Sequence, residues 1–262
     1  AKVVPGKEEF HEMLRYFRRR VELTGVRLHL NTAVKVDTLA GAGYDEVLLA
    51  TGVRPRDPRI PGQDHAKVLS YIDVLRHGAP VGRRVAIVGA GGIGFDVAEH
   101  LVHDGHSPTL NLPEWLEEWG VGDPAQARGG VEGVQPRVSP PAREVTLLQR
   151  RAGKLGERLG KTTGWIHRTT LKHKGVRMIG GVNYERIDDR GLLISHGEKR
   201  EDPTWLEVDH IVLCAGQEPL RELVDPLRAA GVRVHLIGGA DEAAELDAKR
   251  AIDQGTRLAA AL

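Results

Sequence analysis

Residues 84–101, Arg-Val-Ala-Ile-Val-Gly-Ala-Gly-Gly-Ile-Gly-Phe-Asp-Val-Ala-Glu-His-Leu, restrict the fold of this chain more than any other stretch. An apolar run, Val85 to Val88, leads directly into Gly89-x-Gly91-x-x-Gly94. Ile93, Val97 and Leu101 then recur at helical spacing. Strand, glycine turn and helix in that order are the context in which this glycine pattern signals a dinucleotide-binding unit. Gly89 permits the tight turn, Gly91 lets the backbone approach a pyrophosphate, and Gly94 lets helix and strand close up. Gly92 stands at the helix start, where free N–H groups face phosphate.

The second strand of such a unit is expected within a few residues of the helix. Instead, residues 105–143 are rich in proline and glycine, with a short helical piece at Trp115 to Trp119. An irregular insertion of that length in a compact domain is uncommon and functional or mobile when it occurs. Trp115 and Trp119 lie one helical turn apart and read as packing groups rather than a stacking site. Val145 to Gln149 is the delayed strand. An acid at its end would bind the adenine ribose of NAD. This chain carries Gln149, Arg150 and Arg151 there. Two guanidiniums and no carboxylate favour a 2′-phosphate, so the expected ligand is NADPH.

The chain has 262 residues, with 37 Lys plus Arg against 36 Asp plus Glu. So balanced a charge gives no support for nucleic-acid or membrane-surface binding. The basic face Arg15, Arg18, Arg19 and Arg20 of a helix predicted over 8–24 reads as solvated. No apolar run reaches the roughly 20 residues of a membrane helix. The single cysteine, Cys214, excludes an intrachain disulfide and any all-cysteine cluster built by this chain alone. It fits a cytoplasmic setting and reads as a buried thiol. His100, His103 and His106 recur every three residues but run off a helix end without an evident fourth ligand, so no metal site is expected. The first residues are no signal peptide and lack a methionine, which points to a trimmed chain or an excised segment.

Elsewhere, Phe10, Leu14, Phe17 and Val21 give the first helix an apolar face, ended at Gly25. Val26 to Leu30 alternates like a strand, and Thr32 to Val36 could add another. Val47 to Ala50 ends on Thr51-Gly52, a strand end that leaves room for a ligand. Ser70-x-x-Asp73 can cap a short helix. A linker, Gly78 to Gly82, marks a domain crossing. A helix is expected from Gly164 to Lys174, then a strand from Gly175, then an antiparallel set over 182–187, 192–195 and 205–208. His210 to Gly216 echoes the earlier strand, each ending followed by a proline, Pro55 and Pro219. Pro219 is expected to open a helix. Val232 to Asp241 is expected to be a strand, ending on Gly238, Gly239 and Asp241. A last helix is predicted from about Leu246 to Ala260, its start pointing at Asp241.

Taken together, strand–Ala-Thr-Gly, strand–GxGxxG and the closing Leu-Ile-Gly-Gly-x-Asp resemble the two-dinucleotide flavoprotein reductases. Within them the chain more closely resembles the C-terminal reductase region of the bacterial NADPH-dependent 2,4-dienoyl-CoA reductases. Ala1 to Phe10, Lys67 to Tyr71, Ala90 to Asp96, Leu159 to Arg168, Cys214 to Pro219 and Glu245 to Ala251 carry the likeness, as does the insertion with Glu118-Trp-Gly. The resemblance implies an α/β fold: a Rossmann-like NADPH domain, about 81–216, inserted in an incomplete FAD-binding domain, 1–80 and 217–262. It implies that Gly89, Gly91, Gly92, Gly94, Arg150 and Arg151 serve NADPH. Thr51, Gly52, Gly239 and Asp241 would line FAD, and 161–168 would lie near the nicotinamide. In that family FAD passes electrons through a four-iron cluster to FMN on an N-terminal barrel, which reduces unsaturated acyl-CoA. Barrel, cluster cysteines and the first FAD strand and glycine turn are absent from these 262 residues, so a missing N-terminal region is the expected partner. The alternative is an NADPH-binding fragment inactive on its own. No side chain is expected to be catalytic, because the chemistry belongs to the cofactors.

Overall fold

Val85, Ala86, Ile87 and Val88 are all fully buried, as a continuous apolar run predicts for a parallel strand covered on both faces. The computed structural model describes residues 1–244 and 248–262. The chain forms two compact units, residues 1–20 with 58–215 and residues 21–57 with 216–262. The expected crossing near residue 80 sits elsewhere for physical reasons. Val68–Ser70 is hydrogen-bonded into the first unit's sheet, and Val4 is fully buried there.

The main sheet of the first unit holds five parallel strands in the order Val68–Ser70, His210–Leu213, Arg84–Val88, Glu144–Gln149, Arg177–Gly180. Alternate residues of the central strand serve different cores. Val85 and Ile87 pack with Phe95, Val97, Ala98 and Leu101 of the helix Gly92–Val102. Ala86 and Val88 pack with Leu192, Ile194 and Leu206 of a three-stranded antiparallel sheet. That sheet runs Val182–Asp188, Gly191–His196, Glu201–Glu207, in line with the predicted set. Each large side chain so buried contributes about 1.5–3 kcal/mol. The expected cap at Ser70 is a full capping box with Asp73 on the helix Tyr71–Leu75. The insertion carries the helix Leu112–Trp119, three residues longer than expected. Asn111 caps it by accepting from Glu114 N, Pro113 suits its first turn, and Gly120 stops it at a φ of 67°. The helix Gly164–His173 leads into the last strand of the sheet.

In the second unit, Val47–Leu49 pairs in parallel with Val234–Leu236, and Val53–Pro55 pairs antiparallel with Gln217–Pro219. Val47, Leu49, Val224 and Leu227 form its buried core. Three expectations fail here. Residues 26–30 make no strand, because an alternating sequence needs a neighbouring ladder and none pairs with them among the described residues. Thr32 to Val36 is not a strand either, since Val36 already begins the helix Val36–Ala40. Pro219 ends a strand instead of opening a helix. As an edge position it loses no ladder bond, and the helix waits until Val224–Ala229. The terminal helix is Ala248–Ala261, and its expected start at Leu246 lies outside the described residues. The first helix runs Phe10–Leu23 with no buried residue. No helix among the described residues is long and apolar enough to cross a membrane.

Candidate functional site

The central strand stops at Val88, and Gly89 turns the chain with a φ of 111°. Only glycine takes that conformation freely. Space is also denied to a side chain: a Cβ on Gly89 would meet the Cys214 carbonyl group, whose carbon would be 2.7 Å away. The crowding arises because Cys214 N donates to Val88 O at 2.8 Å, which zips two adjacent strands to their ends. A Cβ on Gly94 would overlap the Gly89 carbonyl and reach 3.4 Å from Leu147 Cδ1. Gly91 and Gly92 differ. Both are exposed, and a Cβ on either meets nothing within 4 Å. Gly91 is the N-cap of the helix, without a side-chain cap bond. The turn therefore has two glycines closed by protein and two left open, at a helix start whose N–H groups suit an anion. That arrangement fits a dinucleotide pyrophosphate. It also lies at the carboxyl ends of Arg84–Val88 and His210–Leu213, where the strand order reverses direction.

Arg150 and Arg151 follow the next strand, Glu144–Gln149, and both are exposed. Gln149 does not stand in for the missing acid: its Nε2 donates to Arg151 O at 2.9 Å, shaping the bend. Neither guanidinium forms an ion pair with a carboxylate among the described residues. Arg150 lies near enough to act on the Tyr184 hydroxyl, whose pKa burial pushes up. Two cations at the end of this strand can receive a phosphate without first breaking an internal ion pair.

In the second unit, Thr51, Gly52, Gly239 and Asp241 all follow the carboxyl ends of the paired strands Val47–Leu49 and Val234–Leu236. Gly52 has a φ of 74° and open space at its Cβ position. Thr51 Oγ1 donates to Leu220 O at 2.6 Å. Asp241 Oδ2 accepts from Gln254 Nε2 at 2.8 Å, and Arg221 donates to the Asp241 carbonyl. The structure thus brings these residues to one strand end with two of the polar groups already engaged.

The other groups singled out by sequence have separate partners. Cys214 is buried, and burial raises its thiol pKa. His100 Nδ1 lies 3.2 Å from Val3 O, His103 Nδ1 2.7 Å from Glu99 O, and His106 Nε2 2.8 Å from Glu114 Oε2. Asp96, in the first turns of the helix Gly92–Val102, pairs with Lys7 at 2.6 Å. Arg168 Nη1 donates to Gly156 O at 2.9 Å, fixing the loop before its helix. His167 faces Glu99, Nδ1 to Oε2 3.2 Å, and that hydrogen bond raises the His167 pKa.

Two buried charges escaped the sequence reading. Glu99 lies in the helix Gly92–Val102 with a side chain 8% exposed. Lys174 follows the helix Gly164–His173, its side chain 1% exposed, with Nζ 3.2 Å from Glu118 Oε1 and donating to Ser139 O and Oγ. A signal for the first existed: Asp96, Glu99, His100 and His103 put polar groups at helical spacing on an otherwise apolar helix.

A family model for pyridine nucleotide-disulphide oxidoreductases matches residues 11–246. A metal reductase of Desulforamulus reducens is 23% identical over 240 residues, 90% of this chain and 34% of the relative. A cinnamate reductase of Clostridium sporogenes is 35% identical over 113 residues, 41% of this chain and 17% of the relative. Among solved structures, a 2-naphthoyl-CoA reductase superposes with a TM-score of 0.77 at 20% identity, covering 98% of this chain and 33% of that one. That likeness concerns the fold. The chain spans about a third or less of the length of these relatives.

Proposed function

Because the chain belongs to the pyridine nucleotide-disulphide oxidoreductase family, we propose that it is an NADPH-oxidising module that passes hydride to FAD. Family membership makes it an oxidoreductase of the flavin and NAD(P)H class. The choice of NADPH rests on one observation, Arg150 and Arg151, without a carboxylate partner among the described residues, at the end of the strand that carries an acid in NAD-binding units. When bound, the nicotinamide supplies the hydride and the flavin accepts it. The protein's contribution is placement. Gly91 and Gly92 keep backbone open to the pyrophosphate, the helix start at Gly92 faces its charge, and the two arginines hold the 2′-phosphate. Gly89 and Gly94 hold the turn in shape. Thr51, Gly52, Gly239 and Asp241 would hold FAD.

The finer reading is the reductase module of a 2,4-dienoyl-CoA reductase in the oxidation of unsaturated fatty acids. It is supported by the segments Leu159 to Arg168 and Cys214 to Pro219, with the FMN and iron–sulfur part supplied by a missing N-terminal region. A second reading, an NADPH-binding piece without activity of its own, draws support from Thr51 and Asp241, whose side chains are already bonded within the protein. Adding FAD, removing the excess and mixing with NADPH without oxygen separates the two. Retained flavin that bleaches supports the module; flavin lost on gel filtration supports the piece. For the cofactor choice, Arg150→Ala with Arg151→Ala is expected to weaken NADPH at least about 100-fold, from about 1.5–3 kcal/mol for each of two charge-assisted contacts. NADH should change by less than about threefold. Equal losses for both would overturn the assignment.

A further inference from the structure

A cleft of about 500 Å³ lies in the first unit. Its walls come from the N-terminal segment at Phe10, the insertion at Trp115 and Trp119, and the helix Gly164–His173. Its floor is the helix Gly92–Val102 at Glu99 and His103. Glu99 lies eight residues past Gly91, about 12 Å along the helix at 1.5 Å per residue, so the cleft is separate from the glycine turn. The volume falls within the range of small-molecule sites, about 300–1,000 Å³.

The chemistry of the lining is specific. Trp115 and Trp119 form one aromatic wall, with ring centroids 6.1 Å apart, and Trp119 is braced edge-on by Trp165 and by His173. Two carboxylates at its base each keep one oxygen open, the other being held by His167 or by Lys174. Glu99 uses Oε2 on His167, and Oε1 has no partner among the described residues. Glu118 uses Oε1 on Lys174, which leaves Oε2. His103 Nδ1 donates to Glu99 O, so in the neutral ring Nε2 is an acceptor. Lys7 is the one lysine in the lining, and Asp96 holds it at 2.6 Å. The Glu99 carboxylate, 8% exposed, costs desolvation that a well-packed apolar residue would avoid, so its placement under an aromatic wall is not explained by packing.

We propose that this cleft is a second ligand site, for a flat heteroaromatic base that stacks on the tryptophan wall and donates N–H bonds to Glu99 and Glu118. Stacking and donation to a charged acceptor each add affinity, and an aromatic cation gains further from the ring faces. An anion of the same shape would meet two carboxylates and no free lysine. The site goes beyond cofactor handling and does not depend on which dinucleotide binds.

The probe is 2-aminobenzimidazole, titrated into the full chain by calorimetry and tryptophan fluorescence, with naphthalene-2-sulfonate as the anionic counterpart. Saturable one-to-one binding of the base is expected, with the sulfonate at least tenfold weaker. Glu99→Gln should weaken the base about tenfold, and Trp115→Ala should abolish saturation. NADPH affinity should be unchanged in Trp115→Ala, and circular dichroism shows whether each variant is folded. Trp115 is only partly buried, so its variant remains informative if Glu99→Gln fails to fold. No saturable binding by the base, equal binding of the sulfonate, or binding indifferent to the variants would each overturn the site.

Discussion

Gly94 and Gly91 lie three positions apart in one motif, yet they answer to different constraints. A Cβ on Gly94 would overlap a backbone carbonyl that cannot swing away, because Gly89 N is held by Leu148 O at 2.9 Å. Gly94→Ala is therefore expected to cost about 3 kcal/mol of stability, the range of overpacking in a closed core. Gly91→Ala meets open space and should change stability by under about 1 kcal/mol, the scale of a cap substitution. It should still weaken NADPH at least tenfold, because the added methyl occupies the approach to the backbone. Urea unfolding and cofactor titration of the two variants test the pair. A Gly91→Ala protein that binds normally would mean that the pyrophosphate does not sit there. Both glycines were readable from spacing. What spacing could not show is which one is closed by protein, since the Gly89 carbonyl that closes Gly94 is set in place by a bond to Leu148 on the neighbouring strand.

At the scale of the element, the insertion is the informative piece. Sequence marks 105–143 as an interruption but gives it no anchor. The structure supplies one in Lys174, whose ammonium is satisfied by Glu118, Ser139 O and Ser139 Oγ. All three acceptors belong to the insertion, so one buried cation ties two of its segments to the end of the helix Gly164–His173. A lone lysine in Lys-His-Lys-Gly reads as solvated, which is why composition missed it. Lys174→Met leaves the Glu118 carboxylate, 14% exposed, without its partner. The expected cost is about 3 kcal/mol. Hydrogen exchange should accelerate over 105–143 and stay slow in Arg84–Val88. A uniform change across the unit would mean that the lysine supports the whole fold instead of fastening the insertion. The failed strand at Val26 to Leu30 teaches the converse. Periodicity was present, but a strand is made by its neighbour, and a single sequence does not display the neighbour.

For the whole molecule, the two units differ in the core that holds them. The first has two extensive clusters on either side of its sheet, and the second has Val47, Leu49, Val224 and Leu227. Heating is expected to give two transitions, the second unit melting first. NADPH at 100 times its dissociation constant should raise the upper transition by about 2.7 kcal/mol of stability and leave the lower one in place. Calorimetry with and without cofactor tests this, and a shift of the lower transition alone would reverse the assignment of the NADPH site to the first unit. The order of strands has one more consequence, for how the chain is made. His210–Leu213 fits between Val68–Ser70 and Arg84–Val88, both synthesised long before it. Arg84 and Asp209, hydrogen-bonded at the base of the sheet, are 125 residues apart. On the ribosome the middle of the sheet must therefore stay open, two early strands waiting with exposed edges until the last one emerges. Folding is bound to be slow and late, and a chain stalled before residue 210 is a ready template for aggregation.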